Sequence, residues 1–157
     1  MKLWKWLGTL LGGLVVIGIV GGILLIRRGF RANEEPTALE RVVARTVRNL
    51  SIPGRAARET NPYKPTPDNL KEARETFTAR CAACHGNDGR GKTTIGQNLY
   101  PKPPDLLASQ TQNLSDGQIH YIIQNGVRLT GMPAWSSPHE EQNEASWKLV
   151  LAIRDLR

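Results

Sequence analysis

The feature that most limits how this chain can fold is an uninterrupted apolar stretch near its N-terminus. Residues 7–26 carry no charged side chain, and as a helix they span about 30 Å, the thickness of a bilayer's hydrocarbon core. The stretch is flanked by residue types that are typical of the two membrane interfaces, namely Trp4, Trp6, Arg27 and Arg28. We therefore predict that residues 1–31 form a single transmembrane anchor.

A cleaved signal peptide is the alternative reading of this N-terminus, because Lys2 and Lys5 precede the apolar stretch. The apolar run is long for a signal peptide, however. In addition, residues 27–31 offer no site with the small-x-small spacing that signal peptidase cleaves. We favour the uncleaved anchor on these two grounds.

The net charge of +7 is distributed unevenly along the chain. Residues 1–66 hold eleven basic and four acidic side chains, whereas residues 67–157 hold ten of each. The positive charge thus flanks the apolar helix and lies in the segment that follows it. This placement favours a membrane surface or a partner subunit over nucleic acid as the counter-charge.

Residues 32–66 are predicted to form a basic linker. Thr37 and Glu40 have the spacing of a capping box, which predicts a helix that begins near Ala38. The apolar residues of this helix share one face, and its arginines lie off that face: Leu39, Val42, Val43, Val47 and Leu50 against Arg41, Arg45 and Arg48. Such a helix suits a membrane surface or a second subunit. Residues 61–67, with three prolines, predict an extended strap.

Residues 67–157 are predicted to form an all-α domain with long loops. Thr66 and Pro67 have the N-cap and first-turn positions of an opening helix, and no alternating strand pattern competes anywhere in the segment. A domain of about 90 residues buries a limited share of its surface, so its core would be marginal alone. A large apolar cofactor would complete that core.

The two cysteines of the chain belong to the sequence Cys81-Ala82-Ala83-Cys84-His85, which has the C-x-x-C-H spacing of c-type haem attachment. Two thiols one helical turn apart can each bond a vinyl group of one porphyrin, and the adjacent histidine then faces the iron. A redox C-x-x-C would need a βαβ context, and a zinc site would need more ligands. We therefore predict one covalent haem c, attached through Cys81 and Cys84, with His85 as an axial ligand of the iron.

The second axial ligand is predicted by elimination. Strong axial ligands of haem iron are His, Met, Cys and Tyr. Both cysteines are used and Met1 lies beyond the apolar stretch, which leaves Met132 as the available thioether. It lies in a Gly/Pro loop, where a core-filling role is less expected than on a helix face. The competing histidines are His120, predicted as a surface or hydrogen-bonded residue, and His139, predicted as solvated.

With these motifs, residues 67–157 resemble a class I cytochrome c. The segment with Ala73, Phe77 and Cys81 is similar to the first helix of that family, although the family usually has glycine at the position of Ala73. The resemblance implies a cytochrome c fold around the haem. It also implies that Trp147 of the last helix packs on Phe77.

The same resemblance implies roles for several loop residues. The carbonyl of Pro104 is expected to accept a hydrogen bond from His85, and residues 131–133 are expected to form the distal ligand loop. Candidate partners of the haem propionates are Arg128, Tyr100 and Trp135. Because haem is attached to such proteins outside the cytoplasm, the domain is expected on the periplasmic side of the inner membrane. The arginines after the apolar stretch weakly favour the opposite orientation.

Two protein ligands on the iron leave no open position, and a His/Met pair raises the reduction potential. The expected function is therefore one-electron transfer between redox partner proteins, with no independent catalytic activity. Three readings remain: a subunit of a respiratory or photosynthetic membrane complex such as alternative complex III, a free membrane-tethered shuttle, and a haem enzyme or gas sensor with a displaceable Met132.

Overall fold

The computed structural model describes residues 2–29, 31–136 and 140–156 of the chain. Every regular element in these ranges is a helix, which confirms the predicted all-α class. The chain divides into two compact units, Met1–Arg31 and Ala32–Arg157, which are described separately below.

The first unit consists of helix α1, Lys2–Arg28. Its segment Trp6–Arg27 is long and apolar enough to cross a membrane, judged by length and composition alone. A signal sequence near an N-terminus has the same two properties. The structure therefore confirms the predicted helix, and its insertion in a membrane is taken up as a proposal below.

The second unit begins with helix α2, Ala38–Ser51, which has the predicted capping box. The backbone amide of Glu40 donates to Thr37 Oγ1 at 3.2 Å, and the amide of Thr37 donates to Glu40 Oε2 at 2.6 Å. These reciprocal bonds satisfy amides that the first helical turn leaves without partners. No residue of α2 is buried.

The short helix α3, Gly54–Ala57, packs against the helix α8, Asp116–Asn125. Gly117 makes this contact possible, since a Cβ atom there would lie 2.0 Å from the Ala56 carbonyl oxygen. Next to it, the Ser115 hydroxyl donates to the Ala57 carbonyl at 2.7 Å. The residues that follow α2 are thus in contact with α8.

Residues 61–66 contain no helix or strand, and Pro67 already belongs to the helix that follows, while two side chains of this segment contact the domain. Asn61 Nδ2 donates to the Trp147 carbonyl at 2.9 Å. The ring of Tyr63 packs against the core, with Lys148 Nζ 5.6 Å from its centroid. These contacts join positions distant in sequence and were missed by the sequence analysis.

The core of the unit is formed mainly by α8, α4 (Pro67–Arg80) and α9 (Glu140–Asp155), and five further helices complete the described part of the unit. Besides α2 and α3, these are α5 Ala82–His85, α6 Thr94–Gln97 and α7 Ser109–Gln112. Helices α4 and α9 make the most extensive contact, and Ala73 and Val150 are completely buried in the core. Alanine at position 73 adds one methyl group where the family usually has none, and it is accommodated without exposure. Phe77 and Trp147 belong to the same cluster.

Capping and ion pairs fix the ends of these helices. The Thr66 hydroxyl accepts from the Asn69 amide at 3.3 Å with Pro67 at the first helical position, and Ser115 and Gln118 form a second capping box. Arg154 of α9 bridges to Asp116 at 2.8 Å. The loops between these helices carry the candidate site.

Candidate functional site

The C-x-x-C-H sequence forms a tight helical turn directly after α4. The Cys81 amide donates to the Phe77 carbonyl at 2.8 Å, and the His85 amide donates to the Cys81 carbonyl at 2.9 Å. The turn ends at Gly86, whose φ of +76° is in the region that favours glycine. Cys81 and Cys84 are free, half-buried thiols on this turn.

The environment of Cys81 differs from that of a redox cysteine. Burial raises the pKa of its thiol to about 11, and Cys84 adds to this effect, whereas Arg80 opposes it. Cysteines of redox C-x-x-C motifs have a lowered pKa, because the thiolate is their reactive form. The Cys81 thiol therefore fits attachment of an apolar group better than disulfide exchange.

The imidazole of His85 is buried, and its surroundings favour the neutral form that a metal ligand requires. Burial lowers the pKa of His85, which favours the neutral ring that binds iron. Its Nδ1 atom is completely buried and has no hydrogen-bond partner within the described residues. The bond to the Pro104 carbonyl is thus not formed in this structure, where Pro104 is exposed. That bond stays a prediction for the haem-loaded protein.

The glycine-rich loop after the turn is bound to it by hydrogen bonds and close packing. The Gly91 amide donates to the His85 carbonyl at 2.6 Å, and the Thr93 hydroxyl donates to the Ala83 carbonyl at 2.8 Å. Gly96 fits closely against the turn, because a Cβ atom there would lie 2.5 Å from the Cys84 carbonyl oxygen. Sequence analysis missed Thr93, although its position before α6 is an N-cap signal.

The proline-rich segment 101–106 packs on the same loop. A Cβ atom at Gly91 would lie 2.8 Å from the Pro103 carbonyl oxygen, and the Leu106 amide donates to the Gly89 carbonyl at 2.9 Å. The ion pair between Arg90 and Asp105, at 3.2 Å, adds a contact on the exposed side. The residue next to Pro103 is Pro104, so the segment lies beside the turn that carries His85.

Met132 lies in a loop that is closed by hydrogen bonds on both sides of it. Its carbonyl accepts from the Val127 amide at 3.2 Å, and its own amide donates to Thr130 Oγ1 at 3.1 Å. The Trp135 amide donates to the Ile123 carbonyl of α8 at 3.1 Å. A Cβ atom at Gly126 would lie 2.7 Å from the Met132 carbonyl oxygen, so this closure requires glycine.

The turn and the methionine loop border one apolar core. Met132 is half-buried, and both it and Cys81 pack against the cluster that contains Phe77 and Leu106. The methionine loop also contacts the segment that follows α6, since a Cβ atom at Gly131 would lie 2.7 Å from the Leu99 side chain. A flat apolar group attached at the cysteines would therefore face this core and this loop.

The candidate propionate partners lie in different surroundings. Arg128 is exposed on the methionine loop, and Tyr100 is exposed on the loop that precedes Pro101. Trp135 is half-buried, with the Arg80 guanidinium carbon 5.8 Å from its ring centroid. Their proposed contacts with haem propionates stay predictions.

His120 is buried and fully engaged. Its ring stacks on Trp147 with centroids 3.8 Å apart, and its Nε2 lies 3.0 Å from Asn143 Oδ1. Burial lowers the pKa of His120, while Asn143 and, more weakly, Glu59 oppose that shift. The expectation of a hydrogen-bonded residue is confirmed, and a surface position is wrong. The second competing histidine, His139, lies outside the described residues.

These residues fit a c-type haem on the evidence of their own chemistry. Cys81 and Met132 pack against one apolar core, and Cys84 is a second free thiol on the same turn as Cys81. The buried Nδ1 atom of His85 has no hydrogen-bond partner within the described residues. Cys81 and Cys84 would attach the porphyrin, and His85 and Met132 would ligate its iron.

Comparison with known proteins indicates a cytochrome c domain. Residues 68–150 match the family model described as cytochrome c oxidase, cbb3-type, subunit III, which takes in more than half of the 157 residues. The fold is similar to that of a chain in a reducing HAO-like protein complex from Kuenenia stuttgartiensis, at 20% identity and a TM-score of 0.53. That similarity covers 60% of this chain and 46% of the other, and it concerns the fold alone. No curated protein sequence matches the chain significantly.

Proposed function

The chain belongs to the cytochrome c family of cbb3-type cytochrome c oxidase subunit III, and from this premise we propose that it binds one covalent haem c and transfers single electrons. A cytochrome c domain implies a c-type haem and an electron-transfer function. The proposal adds the residues: thioether bonds from Cys81 and Cys84, and axial ligands from His85 and Met132.

One observation carries the proposal, namely that the C-x-x-C-H turn and the Met132 loop border the same buried cluster. The haem supplies a one-electron iron couple when bound. Burial favours the neutral ring of His85, which is the form that would ligate the iron, and hydrogen bonds within the loop and to α8 fix the backbone around Met132. If His85 and Met132 both ligated the iron, no coordination position would remain for a substrate, which favours electron transfer.

We propose further that α1 anchors the domain in the cytoplasmic membrane, with the haem on the periplasmic side. The segment Trp6–Arg27 has the required length and apolar composition. The domain would then act as a subunit of a larger respiratory or photosynthetic complex. A free tethered shuttle is the second candidate. Extraction in mild detergent followed by size-exclusion chromatography separates them, because a subunit co-migrates with other chains.

The decisive test of the ligand assignment is Met132→Ala in the holoprotein. We expect the haem to remain attached while the weak near-infrared iron–thioether absorption disappears and the reduction potential falls. Leu129→Ala is the matched control, because Leu129 belongs to the same loop and is 91% exposed. It should retain the absorption band. An unchanged spectrum in Met132→Ala would refute the assignment.

A haem enzyme or gas sensor remains the alternative from another class. It requires that Met132 leave the iron readily and open a coordination position. Addition of carbon monoxide to the reduced protein at neutral pH distinguishes the two functions. A slow or negligible Soret change favours electron transfer, whereas a rapid and large change favours a displaceable ligand.

A further inference from the structure

Helix α2 carries an apolar face that none of the described residues of its compact unit covers. Its five large apolar side chains are between 51 and 81% exposed, and the helix buries none of its residues. They are Leu39, Val42, Val43, Val47 and Leu50. Exposure of such apolar side chains to water costs free energy compared with their burial. A continuous row of them therefore marks an interaction surface.

The opposite face of α2 is basic. It carries Arg41, Arg45 and Arg48, and the one acidic residue of the helix, Glu40, is engaged in the capping box at its first turn. Three positive charges and one negative charge give the helix a net charge of +2. A helix with an apolar face and an opposite basic face has the pattern of helices that lie in the interface of an anionic bilayer.

The length of the connecting segment limits how far α2 can lie from the end of the proposed membrane anchor. Helix α1 ends at Arg28 and α2 begins at Ala38, so nine residues separate them. Nine extended residues reach about 30 Å at most. If α1 spans the membrane, as proposed above, the first turn of α2 cannot be far from that membrane's surface. A soluble partner would have to compete with a bilayer that is always present.

Both ends of α2 are attached to the helical domain. Before it, Pro36 is buried, and Glu35 forms an ion pair with Lys102, which lies two residues before Pro104. After it, Ile52 is buried, and α3 follows in its contact with Gly117. The domain therefore holds this helix at two points while its apolar face stays uncovered, which distinguishes it from a loose linker.

We propose that α2 lies along the surface of an anionic bilayer, with its apolar face toward the acyl chains and its arginines among lipid phosphates. Because α2 is fixed to the domain at both ends, this contact would also set which side of the domain faces the membrane. The inference rests on the proposed anchoring by α1. It adds a second membrane contact that neither the family nor the function requires.

The test compares two single-cysteine positions in the full-length holoprotein, reconstituted in nanodiscs of zwitterionic lipid alone or with anionic phosphatidylglycerol. Val43→Cys lies on the apolar face, and Ala44→Cys is its exposed control on the other side. The rate of modification by a charged maleimide is measured for each, relative to the same variant in denaturant. In anionic nanodiscs we expect modification at least about tenfold slower at position 43 than at 44, as burial of one apolar side chain implies.

A second variant tests the role of charge. Arg45→Gln, added to Val43→Cys, should increase modification about fivefold in anionic nanodiscs, the loss expected for one arginine near such a surface. It should have little effect in zwitterionic nanodiscs. Far-ultraviolet circular dichroism and the haem spectrum check that the variants are folded.

Three outcomes would overturn the proposal. Equal modification at positions 43 and 44 in both nanodiscs would show that the face stays in water. Protection of position 43 only in native membranes would assign the face to a protein partner instead. Failure of the proposed function is recognised separately: three labelled thiols per chain would mean that Cys81 and Cys84 carry no porphyrin. A chain that leaves liposomes on alkaline washing would refute the anchor, and the proposal with it.

Discussion

The contact between α3 and α8 depends on the absence of a side chain at Gly117, and Gly117→Ala tests this directly. The new Cβ atom would lie 2.0 Å from the Ala56 carbonyl oxygen and 2.8 Å from that of Glu59. Both obstacles are backbone atoms, which cannot rotate away as the end of a flexible side chain can. The segment from α3 to Glu59 must therefore move by about 1 Å or more to restore normal contact distances.

The expected cost follows from three contributions. Overpacking of a well-packed contact costs about 1–3 kcal/mol. Movement of α3 also weakens the hydrogen bond from Ser115 to the Ala57 carbonyl, worth about 1 kcal/mol. Alanine is the better helix former by about 1 kcal/mol, which offsets part of the loss. We expect the free energy of unfolding to fall by about 1–3 kcal/mol in total.

Denaturant unfolding of the holoprotein, followed by the fluorescence of its tryptophans, measures this change. Hydrogen exchange gives the local effect, with faster exchange expected at residues 54–63. Gly54→Ala is the matched control on the other side of the contact, because its Cβ atom would meet Arg58 at an ordinary 3.5 Å. If Gly117→Ala is as stable as the wild type, or gains the stability of an ordinary helical glycine-to-alanine change, the close contact of α3 is refuted.

Two further predictions concern the domain around the site. Thr93→Val should lower the free energy of unfolding by about 1–2 kcal/mol, because it removes the hydroxyl that donates to the Ala83 carbonyl and caps α6. The control is Thr94→Val, which leaves both bonds intact, and the same denaturant assay measures both variants. His120 should make the domain less stable in acid. Because burial lowers its pKa in the folded state, the unfolded chain binds the proton more readily, so stability should fall as the pH drops below about 6.5 toward the folded-state pKa. Thermal unfolding across this range should show the decline, and His120→Phe, which cannot titrate, should lessen it; an equal slope in both proteins would contradict the assignment.

The parts of this structure that sequence predicted are those that depend on residues close together in the chain. The capping box of Thr37 and Glu40 was predicted from a spacing of three residues, and the structure has it. The same holds for the opening of α4 at Thr66 and Pro67. Such features are local, because the interacting groups are held together by the helix itself.

The parts that sequence did not predict join residues far apart in the chain. The stacking of His120 on Trp147 and the hydrogen bond from Asn61 to the Trp147 carbonyl have no local signature. The same is true of Gly117, which reads as an unremarkable helical glycine until α3 is placed against it. Only the packed structure shows at which positions a small residue is required because the backbone of another segment lies against it.

The hydrogen bonds that close the Met132 loop have a consequence for the speed of electron exchange. The backbone at Val127, Thr130 and Trp135 is held by hydrogen bonds within the loop or to α8, and each of these bonds joins protein atoms only. A thioether held in this way would keep nearly the same position in both oxidation states. The nuclear reorganisation energy of the couple would then be small, and a small value allows rapid exchange with a partner even at a modest driving force.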